Sequence, residues 1–595
     1  MNTTIMAQQK SDGQADKDAA QRLVQAHDDA IRGLDSSRPQ PMVRAVAMSS
    51  MMSPPDPHQE YMRSRQELLD KERKLDFDYR CRSRATSLEH RADRVIQYLR
   101  RQDKETVYDA AHYKKGYGGQ KHKRFAGDHF LTNVDLIDQT RLLDAARRMP
   151  KGAHLHIHFN ACLDPRVLLN IAKSMNRMFI TSDLPLTAEN AHEHFDRCEI
   201  QFSILCPEKE KPGNIFSPHY QARQTMRFKD FLSHFPSHYP HKTADDWLMG
   251  KIIFHDQEAH NCFQTASGAW EKFNGRTRMM KGLFNYETAY RKYTRLCLED
   301  FMKDNIQYAE IRPNFMTSNQ LYHDDGTGPI DNWGIMRIII NEAENFKEEM
   351  RRQDRFFGGI KVIYCTPRSF SPDLVKSALD ECIEFKKEWP QWIAGFDLVG
   401  EEAKGRPLKD FIPEILAFQQ DCRDQDVDIP LLLHCGETLD LGTDTDGNLV
   451  DALLLGCKRI GHGFALAKHP YIMQQMKSKG VCLELCPISN EVLGLTPRVS
   501  GHAMYELLAN GVHCTVNSDN GTLFRSSLSH DFYQVMVGKA DMSLAGWKQL
   551  ILWSIEHSCL RDEERDVVLQ EWNKKWEVFL EYLVDTYERE LAKDI

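Results

Sequence analysis

Three histidines lie two residues apart in PKGAHLHIHFNAC, residues 150–162: His154, His156 and His158. Successive side chains of a β-strand point to opposite faces, so this spacing predicts three imidazoles on one face. Neutral imidazole nitrogens bind divalent transition metals such as Zn²⁺. The segment therefore predicts a metal-binding strand, with either the first or the second pair of histidines as ligands.

Later apolar runs also end in residues that could do chemistry. These residues are His434 and Glu437 in HCGE, His462 in GHG and Asp519 in NSDN. A single buried histidine is more often a hydrogen-bonded core residue than a ligand. Three imidazoles and one carboxylate together, with water in an open position, suit a catalytic divalent cation such as zinc.

Eight short apolar, β-branched runs would position these residues. They cover 152–158, 306–312, 359–365, 393–400, 429–435, 458–464, 481–487 and 512–518. Helix-like stretches separate them, so the pattern predicts an α/β protein with a closed (β/α)8 TIM barrel. Catalytic groups of such barrels lie at the carboxyl ends of the strands, where the polar residues fall here.

The remaining segments predict the domain organisation. Residues 1–56 are rich in Ser, Met, Pro and Gln and predict a mobile tail, whereas 57–149 predict a helical extension. Its amphipathic helices could form a dimerisation element or simply cover the barrel, which spans 150–595. The long gap after the first strand predicts an inserted subdomain at 165–275, beside the barrel mouth.

Charge, apolar segments and cysteine usage indicate where the protein acts and which partners it lacks. The net charge of −9 and pI near 6.3 give no basic footprint for nucleic acid. The N-terminus lacks the apolar core of a secretory signal, and no apolar run approaches the roughly 18 residues of a membrane span. The fifteen cysteines are odd in number and scattered, which favours reduced thiols. We therefore expect a cytoplasmic protein without a membrane partner.

The motifs also resemble those of a known family. HxH, HCGE, GHG and SD in this order, with RIGHGFAL and CPISNEVLGL, resemble the adenosine deaminase family of metal-dependent amidohydrolases. They are most similar to its adenosine deaminase-related growth factor group, which includes the adenosine deaminase 2 proteins. The resemblance covers roughly residues 60 to 590, and it implies a homodimer formed through the N-terminal helices.

The resemblance implies a role for each site residue. The implied ligands of one Zn²⁺ per chain are His156, His158, His434 and Asp519. His462 would orient and support the attacking hydroxide, and Glu437 would protonate purine N1. Gly400 would present its backbone N–H to purine N3, or it could serve the turn alone.

Two positions depart from the family pattern. Asn520 stands where most members have a second Asp that contacts purine N7, and its amide can donate to that acceptor. Asn160 stands where the family Asp contacts the ribose 5′-hydroxyl. An amide can donate to phosphate oxygens and carries no opposing charge, so Asn160 predicts tolerance of a 5′-phosphate.

The sequence thus predicts zinc-dependent hydrolytic deamination of adenosine or 2′-deoxyadenosine to inosine or deoxyinosine plus ammonia. The partner would be a small adenine nucleoside or nucleotide. Deamination of AMP, or of adenine nucleotides broadly, is the alternative within this class. A growth-factor-like interaction protein is the alternative from another class.

Overall fold

Eight parallel strands form the centre of the computed structural model, which describes residues 56–116, 119–316 and 321–594. The strands are β1 (Ala153–His158), β2 (Tyr308–Arg312), β3 (Ile360–Pro367), β4 (Ile393–Val399), β5 (Leu432–Cys435), β6 (Arg459–His462), β7 (Cys482–Leu485) and β8 (Cys514–Val516). Seven of them lie within one of the eight predicted runs, and β3 extends two residues past the end of its run at residue 365.

The strands close into a barrel. β1 to β4 pair in chain order, as do β5 to β8. Parallel bridges between Phe396 and Leu431 and between Ile157 and Asp519 join the two sets. The predicted (β/α)8 barrel is therefore confirmed. Its strands read as continuous apolar runs because both faces are buried, as in β4, where every residue is buried.

Helices surround the barrel. Those that follow or precede the strands are Glu287–Lys303, Asn332–Arg352, Pro372–Glu388, Ile412–Asp424, Asn448–Leu454, Pro470–Ser478, Pro487–Val492 and Met504–Ala509. After β8 the chain continues through Gly521–Phe524, Leu528–Gly538, Leu544–Glu556 and Asp562–Asp594. No helix among the described residues has both the length and the apolar character that a bilayer crossing needs.

The N-terminal part is helical, as predicted. Its helices are Pro57–Arg73, Tyr79–Ser83, Ser87–Asp103, Phe130–Ile137 and Arg141–Arg148. The chain divides into two units, with the boundary between Leu69 and Asp70. Only residues 56–69 of the first unit are described, and residues 57–69 belong to the first of these helices. The predicted mobile tail, apart from residue 56, lies outside the described residues.

Helix Ser87–Asp103 packs against the C-terminal helix of the same chain. Thr86 and Glu89 form a capping box at its start. Glu89 also accepts hydrogen bonds from Lys548 Nζ at 2.5 Å and Trp576 Nε1 at 3.0 Å. The apolar stripe of helix Ser87–Asp103, on which Val95 and Leu99 are fully buried, is thus covered by other parts of the same chain. The predicted homodimer remains a prediction.

The segment between β1 and β2 contains a sheet and helices of its own. An antiparallel sheet forms from Met178–Ser182, Ile200–Ile204 and Met226–Arg227. Its helices are Pro165–Ser174, Ala191–Arg197, Phe228–His238, Ala244–Ile252, Asp256–Ala259 and Ala266–Phe284. The predicted end of the insertion, residue 275, therefore falls inside the last of these helices.

Candidate active site

The four predicted metal ligands meet at the carboxyl ends of β1, β5 and β8. One ring nitrogen from each of His156, His158 and His434 lies within 4.8 Å of the others. Asp519 Oδ1 lies 3.6 Å from His156 Nε2 and 3.2 Å from His158 Nε2. Segments more than three hundred residues apart in sequence thus bring three imidazoles and one carboxylate into one cluster.

Buried carboxylates orient two of these imidazoles. His156 Nδ1 lies 2.7 Å from Glu484 Oε2, and His434 Nδ1 lies 2.8 Å from Asp397 Oδ2. Each Nδ1–H donates to its carboxylate, so the lone pair of Nε2 is left for a metal. His156 Nε2 is buried and has no hydrogen-bond partner among the described residues. The donor set therefore fits a divalent cation.

Two buried arginines keep these carboxylates charged. Arg312 contacts Asp397 at 2.9 Å and Glu484 at 2.5 Å, and Arg459 contacts Glu484 at 2.6 Å. Burial alone would raise the pKa of Glu484, but the two guanidinium groups hold it well below its ordinary value. The acceptors beneath the imidazoles therefore remain ionised.

Asp519 is held from both sides. Ser489 Oγ donates to its Oδ2 at 2.7 Å, and Asn520 Nδ2 donates to its Oδ1 at 2.7 Å.

The backbone is strained at two residues of the site. Asp519 has φ +56°, and His462, the last residue of β6, has φ +61°. Non-glycine residues in this left-handed region cost about 1–3 kcal/mol each, and such strain concentrates at functional sites.

A chain of hydrogen bonds sets the tautomer of His462. Met504 N donates to His502 Nδ1 at 2.9 Å, so the hydrogen of neutral His502 is on Nε2. That nitrogen lies 3.0 Å from Asn490 Oδ1, and Asn490 Nδ2 in turn lies 3.0 Å from His462 Nδ1. Burial lowers the pKa of both imidazoles. Neutral His462 therefore accepts at Nδ1 and carries its hydrogen on Nε2.

Glu437 is buried beside His462 and Asp519. Burial first, and then the negative charges of Asp519 and Glu402, raise its pKa well above the ordinary value. Its Oε1 lies 3.4 Å from His462 Nδ1. Glu402, at the end of β4, accepts from Glu437 N at 2.6 Å and Gly436 N at 3.0 Å, and so holds this loop. Glu437 can therefore act as a proton donor at neutral pH.

A cavity of about 190 Å³ joins these groups. Its lining includes the predicted residues His158, Asn160, Gly400, His434, Glu437, His462, Asp519 and Asn520. The insertion adds Trp270, Phe273, Asn274 and Thr277, and the loop after β2 adds Asn314. The four insertion residues share one face of helix Ala266–Phe284 at helical spacing. That spacing was visible in the sequence, but nothing in it indicated which surface the helix would face.

Gly400 directly follows β4, and His154 lies within β1. Gly400 has φ +104°, and a Cβ added there would have no atom within 4 Å. The positive φ of the turn therefore favours glycine, and the open space beside it belongs to the catalytic cavity that Gly400 lines. His154 is buried, and its Nε2 accepts a hydrogen bond from Ser518 N at 3.1 Å. Among the described residues, His154 lies outside the side-chain groups that could share a metal ion, which favours His156 and His158 as the ligand pair.

Comparison with known proteins identifies the family. A family model described as adenosine deaminase matches residues 253–575, more than half of the chain. An adenosine deaminase of Aedes albopictus is 31% identical over 76% of this chain and 77% of its own length. The chain belongs to the adenosine deaminase family. Adenosine deaminase 2 of Homo sapiens is 29% identical over 76% of this chain and 82% of its own length.

A solved structure that is similar to this chain shares less of its sequence. An adenine deaminase from Arthrobacter aurescens is 19% identical with a TM-score of 0.48, over 71% of this chain and 98% of that chain. Membership of the adenosine deaminase family is established by the sequence relatives, and the barrel by the strand pairing described above.

Proposed function

We propose that the protein catalyses hydrolytic deamination of adenosine and 2′-deoxyadenosine, with one Zn²⁺ per chain. The observation that carries this proposal is the single cavity in which Glu437 and His462 face the His/His/His/Asp cluster. The adenosine deaminases among its sequence relatives support the substrate. Three imidazoles and one carboxylate are a donor set that zinc accepts in catalytic sites.

The cluster would hold the metal through His156, His158, His434 and Asp519. A divalent cation, when bound, makes hydroxide available near neutral pH. Glu484 and Asp397 keep two of the imidazoles in the tautomer that leaves Nε2 free to bind.

The chain's own groups then handle the protons. Neutral Glu437 donates its proton to purine N1, which makes C6 more electrophilic. His462 Nε2–H donates a hydrogen bond to the oxygen that attacks C6. Glu437, now a carboxylate, receives a proton from that oxygen and delivers it to the 6-amino group. The C6–N bond breaks, and ammonia and the 6-oxo purine are released.

Glu437→Gln tests this assignment. Glutamine has the same size and cannot give up a proton, so we expect kcat for adenosine to fall by roughly 10²- to 10⁴-fold. Because Glu437 is not a proposed ligand, bound zinc should stay near one per chain, measured by atomic emission on the same preparation. His158→Ala is the matched variant, in which zinc content should fall. Retention of most activity by the Glu437 variant would show that another group protonates N1.

A further inference from the structure

A second compartment of about 190 Å³ adjoins the catalytic cavity. The two share three lining residues: Asn160 after β1, Thr277 on helix Ala266–Phe284 and Asn314 after β2. The second compartment therefore continues the first, on the side formed by the insertion. None of the groups proposed to act on the purine lines it.

The second compartment is positively charged. Arg278 and Lys281, from the helix that also lines the catalytic cavity, supply two cations. None of the described residues that line it is acidic. Glu199 Oε1, outside this lining, contacts Arg278 Nε at 2.7 Å and offsets part of its charge.

The neutral groups at the junction also suit an anion. Asn160 and Asn314 each carry an NH₂ group that can donate to phosphate oxygen. Asn314 Oδ1 is buried without a hydrogen-bond partner among the described residues, so its amide gains a bond if it turns its NH₂ group to a ligand. Burial lowers the pKa of Lys281, and a bound anion would offset that effect.

The orientation of the substrate places its 5′ end here. If C6 and N1 lie against the metal cluster and Glu437, the ribose on N9 projects from the opposite side of the purine. The junction with the second compartment is lined by Asn160, Thr277 and Asn314 and by none of the groups assigned to C6 and N1, so the ribose end of the substrate would lie toward it. We propose that this compartment is a subsite for a 5′-phosphate, so that adenosine 5′-monophosphate is also a substrate. This inference rests on the proposed deaminase function.

The test compares kcat/KM for AMP and adenosine on the zinc-loaded, full-length enzyme, followed by ultraviolet absorbance. We expect the AMP value to lie within about a hundred-fold of the adenosine value. Lys281→Ala should lower the ratio of AMP to adenosine about ten-fold, because it removes a charge-assisted contact to phosphate. Asn160→Asp should lower the same ratio, because it places a carboxylate beside the phosphate.

Lys272→Ala is the matched control. Lys272 lies on the same helix, outside both compartments, where it contacts Glu258 at 3.2 Å. Its loss should leave the ratio unchanged. The subsite is refuted if wild-type enzyme turns over adenosine but AMP thousands-fold less well, or if the Lys281 and Asn160 variants behave like the control. A zinc-loaded protein that deaminates neither compound refutes the proposed function itself, which keeps the two failures distinct.

Discussion

At the scale of single residues, strand periodicity predicted one face for His156 and His158, and the structure brings both next to Asp519. The two-residue spacing of the histidines, with the rule that barrels act at their strand ends, separated His156 and His158 from the deeper His154. The groups that orient these residues could not be predicted in the same way. Asn490 and His502 act through hydrogen bonds that form only after distant segments have folded together.

Asn490 tests the tautomer of His462. Asn490→Ala removes the donor to His462 Nδ1 at 3.0 Å, so the imidazole is free to place its hydrogen on either nitrogen. We expect kcat to fall about 10- to 100-fold, with little change in zinc content. Steady-state kinetics, metal analysis and ¹⁵N chemical shifts of the histidine ring would measure the effect. An unchanged kcat with the hydrogen still on Nε2 would contradict the hydrogen-bond chain.

At the scale of elements, the eight strands were predictable because buried parallel strands need continuous β-branched runs. The extent of the insertion after β1 could not be predicted from the sequence. Helix Ala266–Phe284 runs past the predicted boundary and provides a wall of the substrate cavity. Its aromatic and polar residues share one face, a pattern that an ordinary packed helix also shows. Only the position of the helix at the barrel mouth shows that it also lines the substrate cavity.

The helix Ser87–Asp103 is expected to stabilise the fold rather than the reaction. Leu99 is fully buried on it, so Leu99→Ala should lower the free energy of unfolding by about 2–5 kcal/mol. Because the helix lies outside the catalytic cavity, kcat should not change at a temperature where the variant is folded. Chemical denaturation measures the first quantity and steady-state kinetics the second.

The control for this substitution lies on the exposed face of the same helix. Arg94→Ala should alter the free energy of unfolding by no more than about 0.5 kcal/mol. Equal destabilisation by both substitutions would show that the apolar stripe does not anchor the helix.

At the scale of the whole molecule, the barrel brings chemistry from both ends of the chain to one rim. The first ligand strand and the last are separated by more than three hundred and fifty residues, yet Asp519 N donates to His156 O at 3.2 Å. A catalytic domain of this type was predictable from motif order alone. The substrate range was not predictable in this way, because one wall of the cavity comes from the insertion.

The most direct test of the account is the reaction itself. Metal-free protein, prepared with a chelator, should not act on adenosine. Addition of one equivalent of Zn²⁺ should restore conversion to inosine with release of one ammonia per adenosine, measured by ultraviolet absorbance and a coupled ammonia assay. Full activity in the metal-free protein, or no deamination after zinc is restored to a folded chain, would contradict the account.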